Sequence, residues 1–276
     1  MTDPAVPSFD EIRASTEILS PPRAVSTVVK VGQFVVKFGP QVTLQEAESQ
    51  QFVSENSNVP VPKIIATMKE PDTGYLFIVM EYVDGKELGE AWKLLTPMEK
   101  LDVGKQLQDA FEDLRKIPNP GYFGGLNRKP LPDGVFSDGD PEENLDTCGP
   151  FETEEELNEA IIKRIQATQP ATYVALVRRL ISDTLRGHRA VFTHGDLQPK
   201  NILVSRVGDK DDGSGKFKIS IIDWENSGWY PDYWEFCNSS IWEGSRPDWL
   251  ELIQQIMPIP TLELLMLRKI RSNLFW

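Results

Sequence analysis

The sequence predicts an α+β fold of two lobes, a small β-rich amino-terminal lobe followed by a larger, mainly helical carboxy-terminal lobe. Hydrophobic residues from Val25 to Tyr82 form the short, closely spaced runs that are typical of strands. Beyond Asp84-Gly85 they recur at helical spacing behind capping residues. A chain of 276 residues is long enough for two lobes with separate cores. We therefore expect residues 1–84 to form the first lobe and residues 85–276 the second.

The first lobe is expected to be a small sheet with one packed helix. Residues 1–22 are acidic and contain proline, which predicts a loosely held arm. A β-hairpin is predicted around Gly32-Gln33, a pair suited to a type II′ turn. A helix is predicted over residues 44–55, because the prolines of Val59-Pro60-Val61-Pro62 prevent its continuation. Two more strands are predicted over residues 64–68 and 75–82.

The second lobe is expected to be helical around a short β core. Helices are predicted to follow the capping boxes Thr96–Glu99 and Thr153–Glu156 and to cover residues 173–185, 249–256 and 261–273. Asp248 is the predicted N-cap of the second-last helix. Residues 117–150 are rich in proline and glycine and lack periodicity, which is typical of a functional or lid-like insertion.

Composition and charge exclude several classes of protein. The chain is 40% hydrophobic and 26% charged, as in an ordinary globular protein, and has no run of eighteen apolar residues. Its first residues do not resemble a signal peptide, so we expect a cytoplasmic protein with no membrane segment. A net charge of −13 disfavours nucleic acid and suits a neutral or cationic partner, although acidic surfaces also serve solubility. Cys148 and Cys237 lie in unrelated contexts, which predicts free thiols.

Three oxygen-bearing side chains in the second lobe have the spacing of a phosphoryl-transfer site. A short apolar strand ends at the run HGDLQPKN, residues 194–201, and a later strand ends at Asp223. Asp196 is placed to accept a hydrogen bond from an attacking hydroxyl. Asn201 and Asp223 offer the hard oxygen ligands that suit Mg²⁺. His194 is expected to brace this loop through hydrogen bonds.

These motifs resemble the aminoglycoside phosphotransferase and choline kinase-like family. The resemblance rests on HGDLQPKN with IIDWE, on VVKFG, on VPVPK after a helix and on VMEYVDG, and it covers residues 25–276. It implies a protein-kinase-like fold and phosphorylation of a hydroxyl group on a small molecule, with ATP and Mg²⁺. Gly195 replaces the arginine of protein kinases, and DWE replaces DFG, so a phosphorylation-regulated protein kinase is disfavoured.

The resemblance assigns roles to residues of the first lobe. Lys37 in VVKFG matches the strand lysine that holds the α- and β-phosphates. The alternative interpretation of Lys37 is a solvent-exposed strand lysine with no role in binding. Glu46 matches the helix glutamate that pairs with this lysine, with Glu48 as the second choice. The carbonyl of Glu81 and the amide of Val83 match the linker groups that bind the adenine edge, beside an apolar wall from residues 77–80.

Two features leave alternatives open. The phosphate-covering loop, residues 20–26, is not glycine-rich, so GTP is an alternative nucleotide, and a catalytically inactive nucleotide-binding protein or scaffold is an alternative function. A further alternative function is a different transfer reaction on the same scaffold, such as nucleotidylation or acyl activation. Aromatic residues beside carboxylates predict a box for an ammonium group of the acceptor, or else helix-packing core: Trp229, Tyr230, Asp232, Trp234, Trp242 and Glu243. The oligomeric state and the acceptor itself are not specified by the sequence.

Overall fold

The predicted fold class, α+β with two lobes, is confirmed. The structure is a computed structural model that describes residues 5–137, 139–211, 213–242 and 246–275, with the side chain of Trp242 left out. The first lobe contains β1 (Thr27–Val31), β2 (Phe34–Gly39), β3 (Ile64–Lys69) and β4 (Leu76–Glu81), with α1 (Phe9–Arg13) and α2 (Leu44–Asn56). The strands are antiparallel in the order β1-β2-β4-β3. Gly32 has φ 59° in the hairpin turn, a conformation that favours glycine.

The amino-terminal segment lies against this sheet and is not loose over residues 5–22. A capping box between Ser8 and Glu11 starts α1, and Ile12 is fully buried in the cluster that contains Phe77. The guanidinium of Arg13 donates to both carboxylate oxygens of Glu70, at 3.0 and 2.5 Å. A helix of five residues is too short to be stable by helical propensity alone, so the burial of Ile12 and the ion pair of Arg13 with Glu70 stabilise it.

The second lobe consists mainly of helices that surround two small sheets. The helices are α3 (Leu88–Ala91), α4 (Pro97–Leu114), α5 (Leu145–Cys148), α6 (Glu154–Gln166), α7 (Ala171–Thr184), α8 (Trp234–Trp242), α9 (Pro247–Ile256) and α10 (Thr261–Phe275). The strands are β5 (Lys86–Glu87), β6 (Ala190–Thr193), β7 (Ile202–Asp209), β8 (Gly215–Ile221) and β9 (Gly228–Pro231). One sheet has the order β5-β7-β8, and β6 pairs with β9. Strand β9 and helix α8 were not predicted from the sequence.

The helix starts test the predicted caps. The box at Thr96 and Glu99 is complete, and α4 follows it. Thr153 caps α6 through the amide of Glu156, but the carboxylate of Glu156 accepts from the Glu152 amide, so only half of the predicted box forms. The prediction of Asp248 as an N-cap is wrong: Arg246 takes that position, because Pro247 occupies the first helical turn.

Residues 117–150 form part of the core rather than a lid. Leu131, Val135, Phe136 and Cys148 are fully buried in the large hydrophobic cluster of the second lobe. The segment lacks periodicity because turns and short helical stretches position these side chains one at a time. Cys148 and Cys237 are buried and are not joined in a disulfide. Within the described ranges, no helix has both the length and the hydrophobicity needed to cross a bilayer.

Candidate active site

Strand β2 and helix α2 bring Lys37 and Glu46 together, as the sequence predicted. Lys37 lies opposite Ile78 of β4 in the interior of the sheet and is 7% exposed. Its Nζ donates to Oε1 of Glu46 at 2.8 Å. Glu48, the second choice, instead pairs with Lys129 at 2.6 Å. The lysine is therefore a buried, paired cation and not a solvated strand residue.

The loop between β6 and β7 holds Asp196. Gln198 donates to Oδ1 of Asp196, and Nδ2 of Asn201 donates to its backbone carbonyl at 2.8 Å and to Oδ2 at 3.2 Å. A short helical turn, Pro199–Asn201, fixes this spacing before β7 begins. The side chain of Asp196 is 19% exposed. The base proposed from the sequence is therefore oriented by its own loop and still accessible.

His194 connects this loop to the strand that precedes Asp223. Its Nδ1 accepts from the Asp196 amide at 3.2 Å, and its Nε2 donates to the carbonyl of Ile222 at 2.9 Å. The His194 amide donates to Oε2 of the buried Glu235 at 2.6 Å, so α8 also anchors the loop. The expectation that His194 braces the loop is confirmed. Glu235 gave no signal in the sequence beyond its place among aromatic residues.

Asp223 lies where β8 ends, with φ 68°, and this turn directs its carboxylate to the first lobe. Oδ1 of Asp223 accepts from Nζ of Lys37 at 2.6 Å. Oε2 of Glu225 also accepts from Lys37, at 3.0 Å, a contact that was not predicted and for which the acidic third residue of DWE is the signal in the sequence. The amide of Ile222 donates to the carbonyl of Asn201 at 2.9 Å, so Asn201, just before β7, and Asp223, just after β8, lie at the same edge of the sheet.

The cluster of Lys37 with Glu46, Asp223 and Glu225 carries more negative than positive charge. Burial lowers the pKa of Lys37, but the three surrounding carboxylates outweigh it and raise the pKa above its ordinary value. Burial raises the pKa of Glu46 to about 7, against the attraction of Lys37. The three carboxylates offer oxygens within 4.8 Å of one another. Hard oxygen ligands around an excess of negative charge are the chemistry that divalent cations such as Mg²⁺ prefer.

The linker between the lobes contains Glu81 and Val83. The Glu81 amide donates to the carbonyl of Lys63 at 2.9 Å, which fixes the end of β4. Along β4, Ile78 and Met80 pack in the cluster next to α2, whereas Phe77 and Val79 pack in the cluster beneath α1. Because Ile78 is the register partner of Lys37, the side of the sheet that carries Lys37 is apolar next to the linker.

Of the two alternatives for the aromatic residues after Asp223, the described rings form core and not an ammonium box. Trp229, Tyr230 and Trp234 are 2%, 0% and 0% exposed, because they pack in the core of the second lobe. Oδ2 of Asp232 lies 3.8 Å from Nε of Arg189, as an ion pair. Glu243 and the side chain of Trp242 lie outside the described residues. The alternative, helix-packing core, is therefore correct for the three rings.

Comparisons with known proteins agree with this geometry. Residues 22–256 match the profile of the phosphotransferase enzyme family, and the chain belongs to that family. Aminoglycoside phosphotransferase APH(4)-Ia is 14% identical with a TM-score of 0.58, over 94% of this chain and 85% of that one. A choline/ethanolamine kinase family protein from Mesorhizobium loti is 16% identical with a TM-score of 0.56, over 96% and 82%.

A third solved structure, the GDP complex of aminoglycoside 2′-phosphotransferase-IIIa, is 16% identical with a TM-score of 0.55, over 94% of this chain and 81% of that one. No curated protein sequence matches the chain. These likenesses confirm the kinase-like fold, and the family match confirms the resemblance that the motifs indicated.

Proposed function

We propose that the protein is an ATP- and Mg²⁺-dependent phosphotransferase that phosphorylates a hydroxyl group of a small molecule. The observation that carries the proposal is the convergence of Lys37 and Glu46 from the first lobe with Asp223 from the second. The family supplies the class of reaction. Solved relatives hold ADP or AMP-PNP with hygromycin B, which supports a nucleotide and a small acceptor here, and the GDP complex keeps GTP as the alternative nucleotide.

The nucleotide would lie between residues 1–84 and residues 85–276. Lys37 would bind the α- and β-phosphate oxygens, and Glu46 would keep its ammonium in place. The carbonyl of Glu81 and the amide of Val83 would bind the adenine edge. In this state the phosphates would compete with the carboxylates that now surround Lys37.

Asp223 and Asn201 would hold Mg²⁺, and Glu225 adds a third oxygen ligand at the same place. The excess negative charge of the cluster and the short separation of its carboxylate oxygens support this assignment for Asp223 and Glu225, and Asn201 is assigned from its place in the run HGDLQPKN. The chemistry that Mg²⁺ would supply in this site is neutralisation of negative charge on the phosphate oxygens. The chain's own part is to fix its ligands, and the bond from Ile222 to the Asn201 carbonyl keeps the two strand ends in register.

Asp196 would accept the hydrogen bond of the attacking hydroxyl, orient it and take its proton late. A loose phosphoryl transition state depends on positioning more than on a strong base. The bonds from Gln198 and Asn201 restrict the Asp196 carboxylate to one orientation, which lowers the entropy lost when the acceptor binds. His194 transmits this order to the strand before Asp223.

The Asp196→Ala variant tests the proposal. It is expected to abolish formation of ADP from ATP while the affinity for Mg-ATP stays unchanged, because Asp196 contacts the acceptor and not the nucleotide. Asp109→Ala, on the exposed face of α4, is the matched control and should keep full activity. Turnover that persists in Asp196→Ala would remove this residue from the mechanism. AMP as the product would indicate nucleotidylation, and nucleotide binding without turnover in the natural chain would indicate an inactive member.

A further inference from the structure

A cavity lies beside the loop that joins β6 to β7 and carries Asp196, the catalytic loop. Its volume of about 490 Å³ is within the range of small-molecule sites. Its apolar lining comes from α3, α9 and the residue after α3: Leu88, Trp92, Trp249 and Leu252. Leu88, Trp249 and Leu252 are 2%, 4% and 4% exposed, so the lining is firmly packed. Such walls fit a ring or a short hydrocarbon chain, with polar groups at the rim to orient it.

Lys200 connects the cavity to Asp196, which does not itself line it. Pro199 and Lys200 of the catalytic loop form one side of it. Nζ of Lys200 lies 3.6 Å from Oδ2 of Asp196, and its side chain is 52% exposed. A hydroxyl that donates to Asp196 from this cavity would therefore lie within a few ångströms of an ammonium group.

This ammonium discriminates between acceptors by charge. A cationic group beside the reacting hydroxyl would be repelled by Lys200 and would compete with it for Asp196. A carboxylate at the same place would accept a charge-assisted hydrogen bond from Lys200. It would also draw the lysine away from Asp196 and leave Oδ2 free for the acceptor hydroxyl.

The other charged residues of the described lining add no net positive charge to that of Lys200. Arg246 lines the cavity next to Gly89, where an added Cβ would lie 3.8 Å from Nη1 of Arg246 and 3.5 Å from Pro199. Lys93 adds a third cation, and the remaining charged lining residues are Glu87, Glu90 and Asp248. Counted with Lys200, the described lining residues hold three cations and three carboxylates, so the attraction for an anion comes from the direct contact with Lys200 and not from the rim as a whole.

The net charge of the chain, −13, opposes any anion at long range, but salt screens exposed charges beyond about 8 Å. The contact with Lys200 is shorter than this distance. The long-range field therefore slows the arrival of an anionic acceptor without cancelling its local attraction.

We propose that the acceptor is a small hydroxyl compound with a carboxylate group, which Lys200 binds beside the hydroxyl that Asp196 orients. The assignment rests on the proposed phosphotransferase function. An anionic acceptor contrasts with the neutral or cationic partner that the net charge of the chain suits.

Three compounds on one scaffold, each with the charged or neutral group next to the hydroxyl, test the charge preference: mandelate, 1-phenylethane-1,2-diol and 2-amino-1-phenylethanol. Their affinities for the full chain with Mg²⁺ and AMP-PNP are measured by calorimetry. Mandelate is expected to bind about tenfold or more tightly than the other two, as a charge-assisted hydrogen bond provides. Lys200→Gln should abolish that preference and keep the affinity for AMP-PNP, whereas Lys105→Gln, on the exposed face of α4, should keep both.

Equal affinity for the three compounds, tighter binding of the amine, or no binding of any of them would overturn the proposal. A preference that survives in Lys200→Gln would also overturn it. These outcomes differ from failure of the proposed function, which would show as loss of AMP-PNP binding by the unmodified chain. Thermal denaturation of Lys200→Gln separates a folding defect from a loss of recognition.

Discussion

Gly195 allows the catalytic loop to pass close to the turn after β8, and Gly195→Ala should disrupt that approach. Gly195 has φ 83°, and a Cβ at this position would lie 2.3 Å from the carbonyl oxygen of Asn226. The left-handed backbone alone disfavours alanine by about 1–2 kcal/mol. The overlap adds a second penalty, of about 1–3 kcal/mol for an overpacked interior.

The overlap also predicts the effect on activity. Carbon and oxygen must separate to about 3.0 Å, so either the loop or the Asn226 backbone must move by about 0.7 Å. Asp196 follows Gly195 directly and moves with it. Because a misplacement of about 1 Å costs roughly a hundredfold in rate, we expect the rate of ADP formation to fall by about tenfold to a hundredfold.

Gly187→Ala is the matched control for this experiment. Gly187 has φ 82°, and an added Cβ would have no neighbour within 4 Å. Both variants therefore share the backbone strain, but only Gly195→Ala carries the overlap. ADP formation and the melting temperature are measured for both, and Gly187→Ala should lose about 1–2 kcal/mol of stability and no activity. Equal losses in the two variants would refute the reasoning.

Two other predictions concern the charges around the loop. The pKa of Glu46 is raised from 4.5 to about 7, so the folded chain binds the Glu46 proton more tightly than the unfolded chain does. The free energy of unfolding of the chain without Mg²⁺ should therefore fall as the pH rises from about 5 to 7. In urea titrations, Glu46→Gln should reduce this pH-dependent loss of unfolding free energy by up to about 3 kcal/mol. Unfolding free energies that depend on pH in the same way in both chains would contradict the prediction. Asn238 and Trp234 both donate to Asp133, but only Asn238 also donates to the Gly195 carbonyl, at 2.8 Å. Asn238→Ala should therefore slow ADP formation about tenfold or more while Trp234→Phe lowers only the melting temperature, and equal rates would show that the bond to Gly195 has no part in positioning.

The parts of the site that the sequence predicted are those with a fixed local spacing. Asp196 and Asn201 lie on one short loop, and Lys37 and Glu46 are nine residues apart on a strand and the next helix. Such separations leave few conformations, so the meeting of these side chains follows from the elements that carry them. Their roles in transfer stay predictions that the variants above test.

Contacts between residues far apart in the sequence could not be predicted from it. Arg271 donates to Asp133 across 138 residues, and this buried pair ties residues 117–150 to α8 through Asn238. No local pattern marks either partner, because the ion pair forms only when distant elements pack. This is why residues 117–150 resembled a lid in the sequence.

The aromatic residues near Asp223 show a different limit. Burial depends on which face of a strand or helix meets the core, and β9 and α8 were not recognised as elements. Trp229 and Trp234 were therefore equally compatible with a ligand box and with core. The exposed carboxylate of Glu225 was overlooked for a related reason, since its contact with Lys37 comes from the other lobe.

The central claim is that Asp223 and its neighbours bind a nucleotide through Mg²⁺. Titration calorimetry of ATP, with Mg²⁺ or with a chelator, measures this directly in the unmodified chain and in Asp223→Ala. We expect Mg²⁺ to strengthen ATP binding to the unmodified chain and Asp223→Ala to weaken Mg-ATP binding by about tenfold or more. An affinity that is unaffected by both the chelator and the substitution would contradict the account.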